Sequence, residues 1–332
     1  MPCDSWDCEG RQMRYAIIGS SGHYPQVLEA MRDGQVGAPC AVAPGSAGED
    51  VRALAEKCGA RLYADWRQML DAEALELAVV NPWFADIAGI SMECLRRGIH
   101  VYSEKPLATE LDALNALRAV YKESPAALGC MLNLNCCAWY KALSGAIENG
   151  EIGDVRLIHG QKSYRMGQRG AVYQRRETYG GTIPWIGIHA VDWVLRLGCR
   201  CEWVAATHTT IANRGNGDME TACAVLLQME NGVIGTVECD FLRPTSSARH
   251  DDDRLRVTGT RGMLEAIDGR VYLENEGPRR ELALPAGENP FVRFVGAIGT
   301  PLADALAQEA FEDTRVCLLA RRAADEGSIV RA

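Results

Sequence analysis

The segment IHVYSEKPLA, from Ile99 to Ala108, decides the fold of this chain. It begins as a short apolar strand and ends on the charged pair Glu104 and Lys105, followed by Pro106. Charges at the end of a buried strand cost desolvation free energy unless another group uses them, and the proline disfavours a helical backbone at the lysine. We therefore expect Lys105 to be held extended at the edge of a sheet.

The segments around this strand alternate between short apolar strands and helices. Strands are predicted over residues 14–19, 39–43, 61–63, 75–80 and 127–132, and helices over 25–32, 50–58, 65–70, 85–97 and 110–122. This alternation predicts βαβ units and a parallel sheet, which binds ligands at the carboxyl ends of its strands. The strand ends supply the predicted cofactor-binding positions: Gly19, Ser20, Ser21, Gly22, His23, Tyr24, Pro44, Ser46, Asn81, Pro82, Trp83, Glu104 and Lys105.

The first strand ends at a glycine turn that leads into a helix, an arrangement that points helix N-terminal amides at a pyrophosphate. The dinucleotide fingerprint G-x-G-x-x-G is incomplete, because Ser21 and Tyr24 take its second and third glycine positions, and Gly22 falls between them. The turn predicts dinucleotide binding, with a simple strand-to-helix turn as the alternative.

The second strand ends at Pro44, Gly45 and Ser46, where an NAD-selective site usually places an acid on the ribose 2′-hydroxyl. No acid stands at that point. Glu49 and Asp50 come later, and the dipole of the helix predicted to begin there explains them. The missing acid permits NADP, with Ser46 as a donor to its phosphate, so the choice between NAD and NADP stays open.

From about residue 153 the pattern changes to alternating strands separated by Asn-Gly and Asp-Gly turns, which predicts an antiparallel sheet of hairpins. A long helix is predicted over residues 302–324, and a mobile loop over 244–253. We assign residues 13–132 to one domain and 133–332 to a second. Residues 1–12 lack apolar periodicity and are predicted to be a disordered extension, or to lie upstream of a natural start at Met13.

A second chemical cluster runs from Tyr179 to Trp193 (YGGTIPWIGIHAVDW) and places His189 at the start of a helix. A histidine that caps or packs locally is the alternative.

The segment between Tyr164 and this cluster contains Arg165, Tyr173 and three further arginines. The planar guanidinium of arginine suits a carboxylate or the cofactor phosphates. We take Arg165 and Tyr173 as candidate substrate contacts; pairing of exposed arginines with surface acids is the alternative.

Composition excludes several classes of function. The 332 residues carry a formal net charge of -9, which argues against nucleic-acid and anionic-membrane partners. No apolar run reaches membrane-spanning length, and the start lacks a signal-peptide profile, so we expect a cytoplasmic protein. The 13 cysteines include no C-x-x-C pair, and we expect reduced, mostly buried thiols and no metal site.

From Met13 onward the chain resembles the Gfo/Idh/MocA family of NAD(P)-dependent oxidoreductases. The resemblance rests on Glu104-Lys105-Pro106, the turn NGEIG at 149–153, the glycine-rich segment that ends at His189, and RVTGTRG at 256–262. It implies an α/β Rossmann domain followed by an α+β domain with an open, mainly antiparallel sheet. It also implies a homodimer or homotetramer assembled through the sheet of the second domain.

The resemblance further implies reversible hydride transfer between nicotinamide and a carbinol carbon of a sugar, cyclitol or related polyol. Lys105 would polarise the substrate oxygen, and His189 would relay its proton, a task that suits an imidazole near neutral pH. Two alternatives are a transient oxidation that serves glycoside cleavage or elimination, and a dinucleotide-binding sensor or scaffold with little catalysis.

One departure from the family pattern concerns the residue four positions before His189, which is commonly aspartate and is Trp185 here. An indole donates one hydrogen bond and accepts none, so it cannot orient the imidazole as a carboxylate would. Asp192 is a candidate substitute, with a helix-surface or inter-element ion pair as the alternative. Trp185 is expected either as an aromatic platform for substrate or as a core residue.

Overall fold

The computed structural model describes residues 13–132 and 136–332 and divides them into two compact units. The first unit contains residues 13–132 and 289–314, and the second contains 136–288 and 315–332. The predicted second domain, 133–332, did not include this return of the chain to the first unit. The predicted extension over residues 1–12 lies outside the described residues.

The first unit is built on a parallel sheet with the strand order β3-β2-β1-β4-β5-β6. Its strands are β1 (Tyr15–Ile18), β2 (Ala41–Ala43), β3 (Arg61–Leu62), β4 (Leu77–Val80), β5 (His100–Ser103) and β6 (Leu128–Cys130). The intervening helices are α1 (Pro25–Arg32), α2 (Arg52–Cys58), α3 (Trp66–Ala72), α4 (Ile87–Arg96) and α5 (Leu111–Glu123). This is the doubly wound order of a dinucleotide-binding domain. Strands β1 and β4 are buried along their whole length, as helices on both faces of a parallel sheet require.

The second unit is built on a sheet with the strand order β14-β13-β12-β11-β7-β10-β9-β8-β15. Its strands are β7 (Val155–Arg165), β8 (Cys201–Thr209), β9 (Ala222–Met229), β10 (Ile234–Arg243), β11 (Asp251–Gly259), β12 (Met263–Ile267), β13 (Arg270–Glu274), β14 (Arg280–Glu281) and β15 (Ile329–Arg331). Its helices include α6 (Ala138–Glu148), α7 (Arg176–Tyr179) and α8 (Ile188–Leu197). Strands β7 and β10 pair in parallel and the other neighbours pair antiparallel, which confirms the predicted fold class.

Helix α8 packs on β7, where Gly160 leaves room for it. A Cβ at Gly160 would lie 3.2 Å from the Cβ of Ala190 and 3.4 Å from a ring carbon of Trp193. The prediction of a loop over 244–253 is wrong for its last three residues, because β11 already begins at Asp251. Ion pairs within the sheet, such as that between Asp253 and Lys162, neutralise the charges that made this segment look like a loop.

The chain returns to the first unit through α9 (Pro290–Ala297) and the start of α10 (Pro301–Glu326). Asn289 caps α9, since its side chain accepts the backbone N–H of Phe291 at 2.9 Å. Phe291 and Phe294 are buried, and both rings lie 5.2 Å from the ring of Tyr102 on β5. A Cβ at Gly129 on β6 would overlap the Phe294 ring, so the glycine makes room for this helix.

Candidate functional site

The predicted cofactor positions follow β1, β2, β4 and β5 at their carboxyl ends, as a parallel sheet requires. Two glycines form the turn after β1. Gly19 has φ +85° and Gly22 has φ +66°, both in the left-handed region that favours glycine. A Cβ on Gly19 would overlap the Asn81 backbone, and one on Gly22 would overlap the Glu104 carboxylate. The turn therefore requires both glycines, although the sequence fingerprint is incomplete.

Glu104 at the end of β5 holds this turn in place. Its side chain is fully buried and accepts the backbone N–H of His23 at 2.7 Å, and it lies 2.9 Å from Nδ1 of the same histidine. Burial acts to raise the pKa of Glu104, but His23 and Lys105 outweigh it, so the pKa of Glu104 falls below its ordinary value. The charge at the end of the strand thus fixes the glycine turn.

Lys105 is 2% exposed, and its Nζ lies 3.9 Å from Glu104 Oε1. The peptide bond between Lys105 and Pro106 is cis. Lys105 lies at the carboxyl end of β5, where the sequence placed it.

Asn81, after β4, connects its strand end to the glycine turn. Its side-chain Nδ2 donates to the backbone carbonyl of Ser21 at 2.9 Å, and its backbone carbonyl accepts the Ser21 amide at 2.8 Å. Ser21 Oγ donates to the carbonyl of Pro82 at 2.9 Å. Asn81 is fully buried, and among the described residues its Oδ1 has no hydrogen-bond donor. A glycine cradle beside a buried, unpaired acceptor fits a dinucleotide that brings its own donors.

Glu49 occupies a position that the sequence analysis misjudged. Helix α2 begins at Arg52, so Glu49 is not a first-turn acid, and the explanation by the helix dipole is wrong for it. Its carboxylate instead accepts three backbone amides, those of Ser20 at 2.6 Å, Gly45 at 2.9 Å and Ser46 at 3.2 Å. An acid thus stands between the glycine turn and the end of β2 after all.

The other predicted positions in the first unit make contacts within it. Ser46 Oγ donates to Asp86 at 2.6 Å and accepts the Trp83 amide at 2.9 Å. Tyr24 precedes α1 and packs, partly buried, against the core, and Pro44 directly follows β2. Ser46 therefore already uses its hydroxyl within the protein.

His189 is the second residue of α8 and is 8% exposed, in agreement with the predicted helix start. The turn before α8, Ile183–Gly187, is π-helical, a conformation often found at functional sites. Asp192, on the same helix, accepts a hydrogen bond from Arg196 at 3.0 Å, so the ion pair weighed as its alternative role is present.

Trp185 lies inside this π-helical turn and is 7% exposed. Its ring stacks on Phe241 with centroids 5.3 Å apart and lies 4.5 Å from the ring of Tyr173. Tyr179 meets it edge-on at 5.9 Å. Trp185 is thus a core member of an aromatic cluster that Tyr173 also joins. Arg165, the other candidate substrate contact, reaches backbone carbonyls of the neighbouring loop at 3.4 Å.

Glu220 is a residue that the sequence analysis missed. It is almost fully buried, and its carboxylate accepts from the Tyr179 hydroxyl, from Arg176 and from the Thr182 amide, the last at 3.0 Å. These contacts fix the start of the segment that carries Trp185. Its partners Tyr179 and Thr182 lie about 40 positions earlier in the chain, so no local sequence pattern indicated the role of Glu220.

The sequence analysis also missed the ion pair between Lys162 on β7 and Asp253 on β11, whose Nζ and Oδ2 atoms lie 2.5 Å apart. Burial acts to lower the pKa of Lys162, but Tyr164 and Asp253 outweigh it and raise that pKa, so the lysine stays charged. Lysine is rarely buried unless it is paired, and its partner Asp253 is 91 residues away, which is why the sequence did not single Lys162 out.

No helix of the described chain is long and apolar enough to cross a membrane. Most cysteines of the described residues are buried. Within residues 13–132 and 136–332, no group of three His, Cys, Asp or Glu side chains is arranged to hold a metal ion.

A doubly wound sheet with a glycine turn at the end of β1 defines a dinucleotide-binding protein, here with an open-sheet second domain. Two family models identify it further. The NAD-binding Rossmann domain of the Gfo/Idh/MocA oxidoreductases matches residues 13–131, and the C-terminal domain of that family matches residues 140–265. The chain belongs to the Gfo/Idh/MocA family of NAD(P)-binding oxidoreductases.

Individual relatives agree with this assignment. A solved oxidoreductase structure from Thermotoga maritima is 34% identical, with a TM-score of 0.90, over 96% of this chain and 100% of that one. Inositol 2-dehydrogenase 2 of Saccharopolyspora erythraea is 28% identical over 68% of this chain and 66% of its own length. The 1,5-anhydro-D-fructose reductase of Ensifer adhaerens is 28% identical over 63% of this chain and 65% of its own length. The chain thus spans about two thirds of the length of the two named enzymes.

Proposed function

We propose that this protein transfers a hydride reversibly between the nicotinamide of NAD(P) and a carbinol carbon of a sugar, cyclitol or related polyol. The observation that carries the proposal is the end of β5, where buried Glu104 holds the glycine turn and Lys105 follows directly. A lysine fixed beside the turn that takes the cofactor suits the polarisation of a substrate oxygen. The activities named for the two relatives support the polyol class.

In the proposed chemistry each residue acts on the substrate hydroxyl. His189 accepts its proton during oxidation and returns it during reduction, and the Lys105 ammonium stabilises the negative charge on the oxygen. Bound NAD(P) supplies the hydride acceptor or donor. The carbon loses a hydride and the oxygen loses a proton, so the C–O single bond becomes a carbonyl. We place Arg165, Tyr173 and Trp185 on the substrate side, because Trp185 lies four residues before His189 on one continuous helical segment.

We further infer that NAD is the preferred cofactor. Glu49 supports this choice, since its carboxylate already accepts the three amides beside the end of β2. Those amides would otherwise bind a 2′-phosphate, and the carboxylate repels one, whereas it can accept a ribose hydroxyl.

The test compares Lys105→Ala and His189→Ala with Lys122→Ala, which changes an exposed lysine on α5. We expect both site variants to lose turnover on a polyol panel while NADH binding, measured by fluorescence titration, survives. Lys122→Ala should match the wild type. Near-native kcat in Lys105→Ala would remove that residue from the chemistry.

The same assay separates the two alternative functions. Transient oxidation would convert substrate without net change in the absorbance of added cofactor. A sensor or scaffold would bind NADH but turn over no polyol in the panel.

We also propose a homodimer or homotetramer that assembles through the outer face of the second unit's sheet. Leu157, Leu226, Ile234 and Leu242 are exposed there, and the register pairs Leu157 with Ile234. Neighbouring exposed apolar side chains on one sheet face suit an interface between copies. Light scattering during size-exclusion chromatography checks this, and a monomer at micromolar concentration would contradict it.

A further inference from the structure

Four arginines, from the last residue of β7 to the start of α7, differ in whether a carboxylate neutralises them: Arg165, Arg169, Arg175 and Arg176. Arg175 and Arg176 each form ion pairs with carboxylates of the second unit, that of Arg175 at 3.3 Å. Among the described residues, no carboxylate lies within 4.0 Å of a guanidinium nitrogen of Arg165 or Arg169. Arg165 and Arg169 are therefore neighbouring cations that no carboxylate of the described residues neutralises, although the chain has a net charge of -9.

Arg169 lies against the aromatic cluster around Trp185. Its guanidinium carbon is 4.7 Å from the ring centroid of Phe241, 5.2 Å from that of Trp185 and 5.9 Å from that of Tyr173. Its Nε is buried without a hydrogen-bond partner in the described chain, and burial lowers the pKa of Arg169. The rings stabilise the charge through their faces, but they offer no acceptor to the in-plane Nε–H of Arg169.

Arg165 adds a second donor group beside Arg169. The two are joined by a hydrogen bond of 3.4 Å from Arg169 Nη2 to the Arg165 carbonyl, and Arg165 Nη1 reaches the carbonyls of Thr245 and Ser247 at 3.4 Å. These are long contacts to neutral acceptors. Burial, and then the charges of Arg169 and Arg165, lower the pKa of nearby His250, so the local field is positive.

We propose that Arg165 and Arg169 form an anion subsite for an acidic substituent of the substrate, a carboxylate or a phosphate on a polyol. Arginine forks bind both groups in bidentate geometry. The subsite adjoins Trp185. Trp185 lies four residues before His189, and side chains four residues apart on a helical segment are neighbours, so the subsite lies on the side of the segment that carries His189. This assignment deepens the proposed polyol oxidoreductase function and rests on it. The substrate class is then acidic sugars rather than neutral ones.

The experiment uses the full-length protein and three series of sugars with one carbon skeleton: the neutral sugar, its aldonate and uronate, and its phosphate. Initial rates with NAD and binding by calorimetry are measured for wild type, Arg169→Gln, Arg169→Lys and Arg165→Gln. The matched control is Arg175→Gln, since Arg175 is exposed and paired with Glu177. Thermal melts check that each variant folds.

We expect the wild type to prefer one acidic series over the neutral sugar. Arg169→Gln should lower kcat/KM for that series by about 10- to 100-fold, mainly through KM, the loss typical of a charge-assisted hydrogen bond. The neutral sugar and NADH binding should change less than about threefold, and Arg169→Lys should restore part of the loss because it keeps the charge without the fork. Preference for the carboxylate or for the phosphate identifies the source of the anion.

Three results would overturn the subsite. The wild type could prefer neutral sugars, Arg169→Gln could weaken acidic and neutral sugars equally, or the loss could appear in NADH affinity, which would assign the arginines to the cofactor. Failure of the proposed function looks different. In that case no sugar changes the absorbance of the cofactor, yet an acidic sugar still binds the wild type in calorimetry and binds Arg169→Gln about 10-fold more weakly, as the subsite requires.

Discussion

Replacing Glu49 with glutamine tests the assignment of cofactor preference with little change in shape. The carboxylate now accepts the amides of Ser20, Gly45 and Ser46 through both of its oxygens. Glutamine keeps one acceptor oxygen and turns an NH₂ group toward the other amides. It also removes the negative charge beside the end of β2, so both stability and cofactor selectivity should change.

The expected magnitudes follow from this geometry. Two unit charges about 5 Å apart at an effective dielectric constant of about 20 repel by about 3 kcal/mol. Because Glu49 is only half-buried, solvent reduces that figure, and we expect about 1–3 kcal/mol against a 2′-phosphate, or about 10- to 100-fold in Kd. Loss of hydrogen bonds to the charged acceptor should cost about 1–2 kcal/mol of folding free energy.

The assay is a fluorescence titration of NADH and NADPH on wild type, Glu49→Gln and the control Asp50→Asn, an exposed acid that pairs with Arg52. Wild type should bind NADH more tightly, Glu49→Gln should narrow the ratio of the two Kd values by about 10- to 100-fold, and Asp50→Asn should leave it unchanged. The reasoning is refuted if wild type binds both cofactors equally, or if the ratio in Glu49→Gln stays within about twofold of the wild-type ratio.

Two further predictions concern the first unit. Glu104→Gln should cost about 3–5 kcal/mol of stability, because it breaks a buried charge contact, and should weaken NADH binding through the loosened His23 turn. Since the pKa of Glu104 is lowered in the folded protein, its stabilisation is present above the ordinary glutamate pKa of about 4.3 and is lost as the pH falls through the lowered value. Urea titrations from pH 7 to about pH 2 should therefore show the two proteins converging only below the ordinary glutamate pKa of about 4.3, and a constant gap over that range would contradict the assignment. Gly129→Ala should cost about 1–3 kcal/mol because its Cβ overlaps Phe294, whereas Gly89→Ala, in open space on a helix, should be neutral or slightly stabilising in the same melts; equal effects would contradict the packing argument.

The sequence predicted those features that depend on local pattern. Alternation of strand and helix predicted the parallel sheet, and the abrupt end of β5 located Glu104 and Lys105. The contact from Glu104 to the glycine turn could not be predicted from local pattern, because it joins residues 81 positions apart. Glu49 was misjudged for a related reason. The start of α2 was predicted two residues too early. Glu49 therefore lies in the loop before the helix, where its carboxylate accepts hydrogen bonds from three backbone amides.

In the second unit, long-range charge pairing limited what the sequence could show. Lys162 and Asp253 are 91 residues apart, and each alone reads as an exposed polar residue. The role of Glu220 likewise depends on its contacts with Tyr179 and Thr182, which lie about 40 positions earlier. Trp185 was expected either as an aromatic platform or as a core residue, and its ring partners Phe241 and Tyr173 come from separate segments that no local pattern connects.

The return of residues 289–314 to the first unit has a consequence for synthesis on the ribosome. Strands β5 and β6 leave the exit tunnel early, but Phe291 and Phe294, which cover Tyr102 and Gly129, are translated much later. Chains usually fold from the N-terminus as they emerge. Here the unit translated first completes its core only after residues 289–314 have been made, so we expect its apolar surface to stay exposed until then.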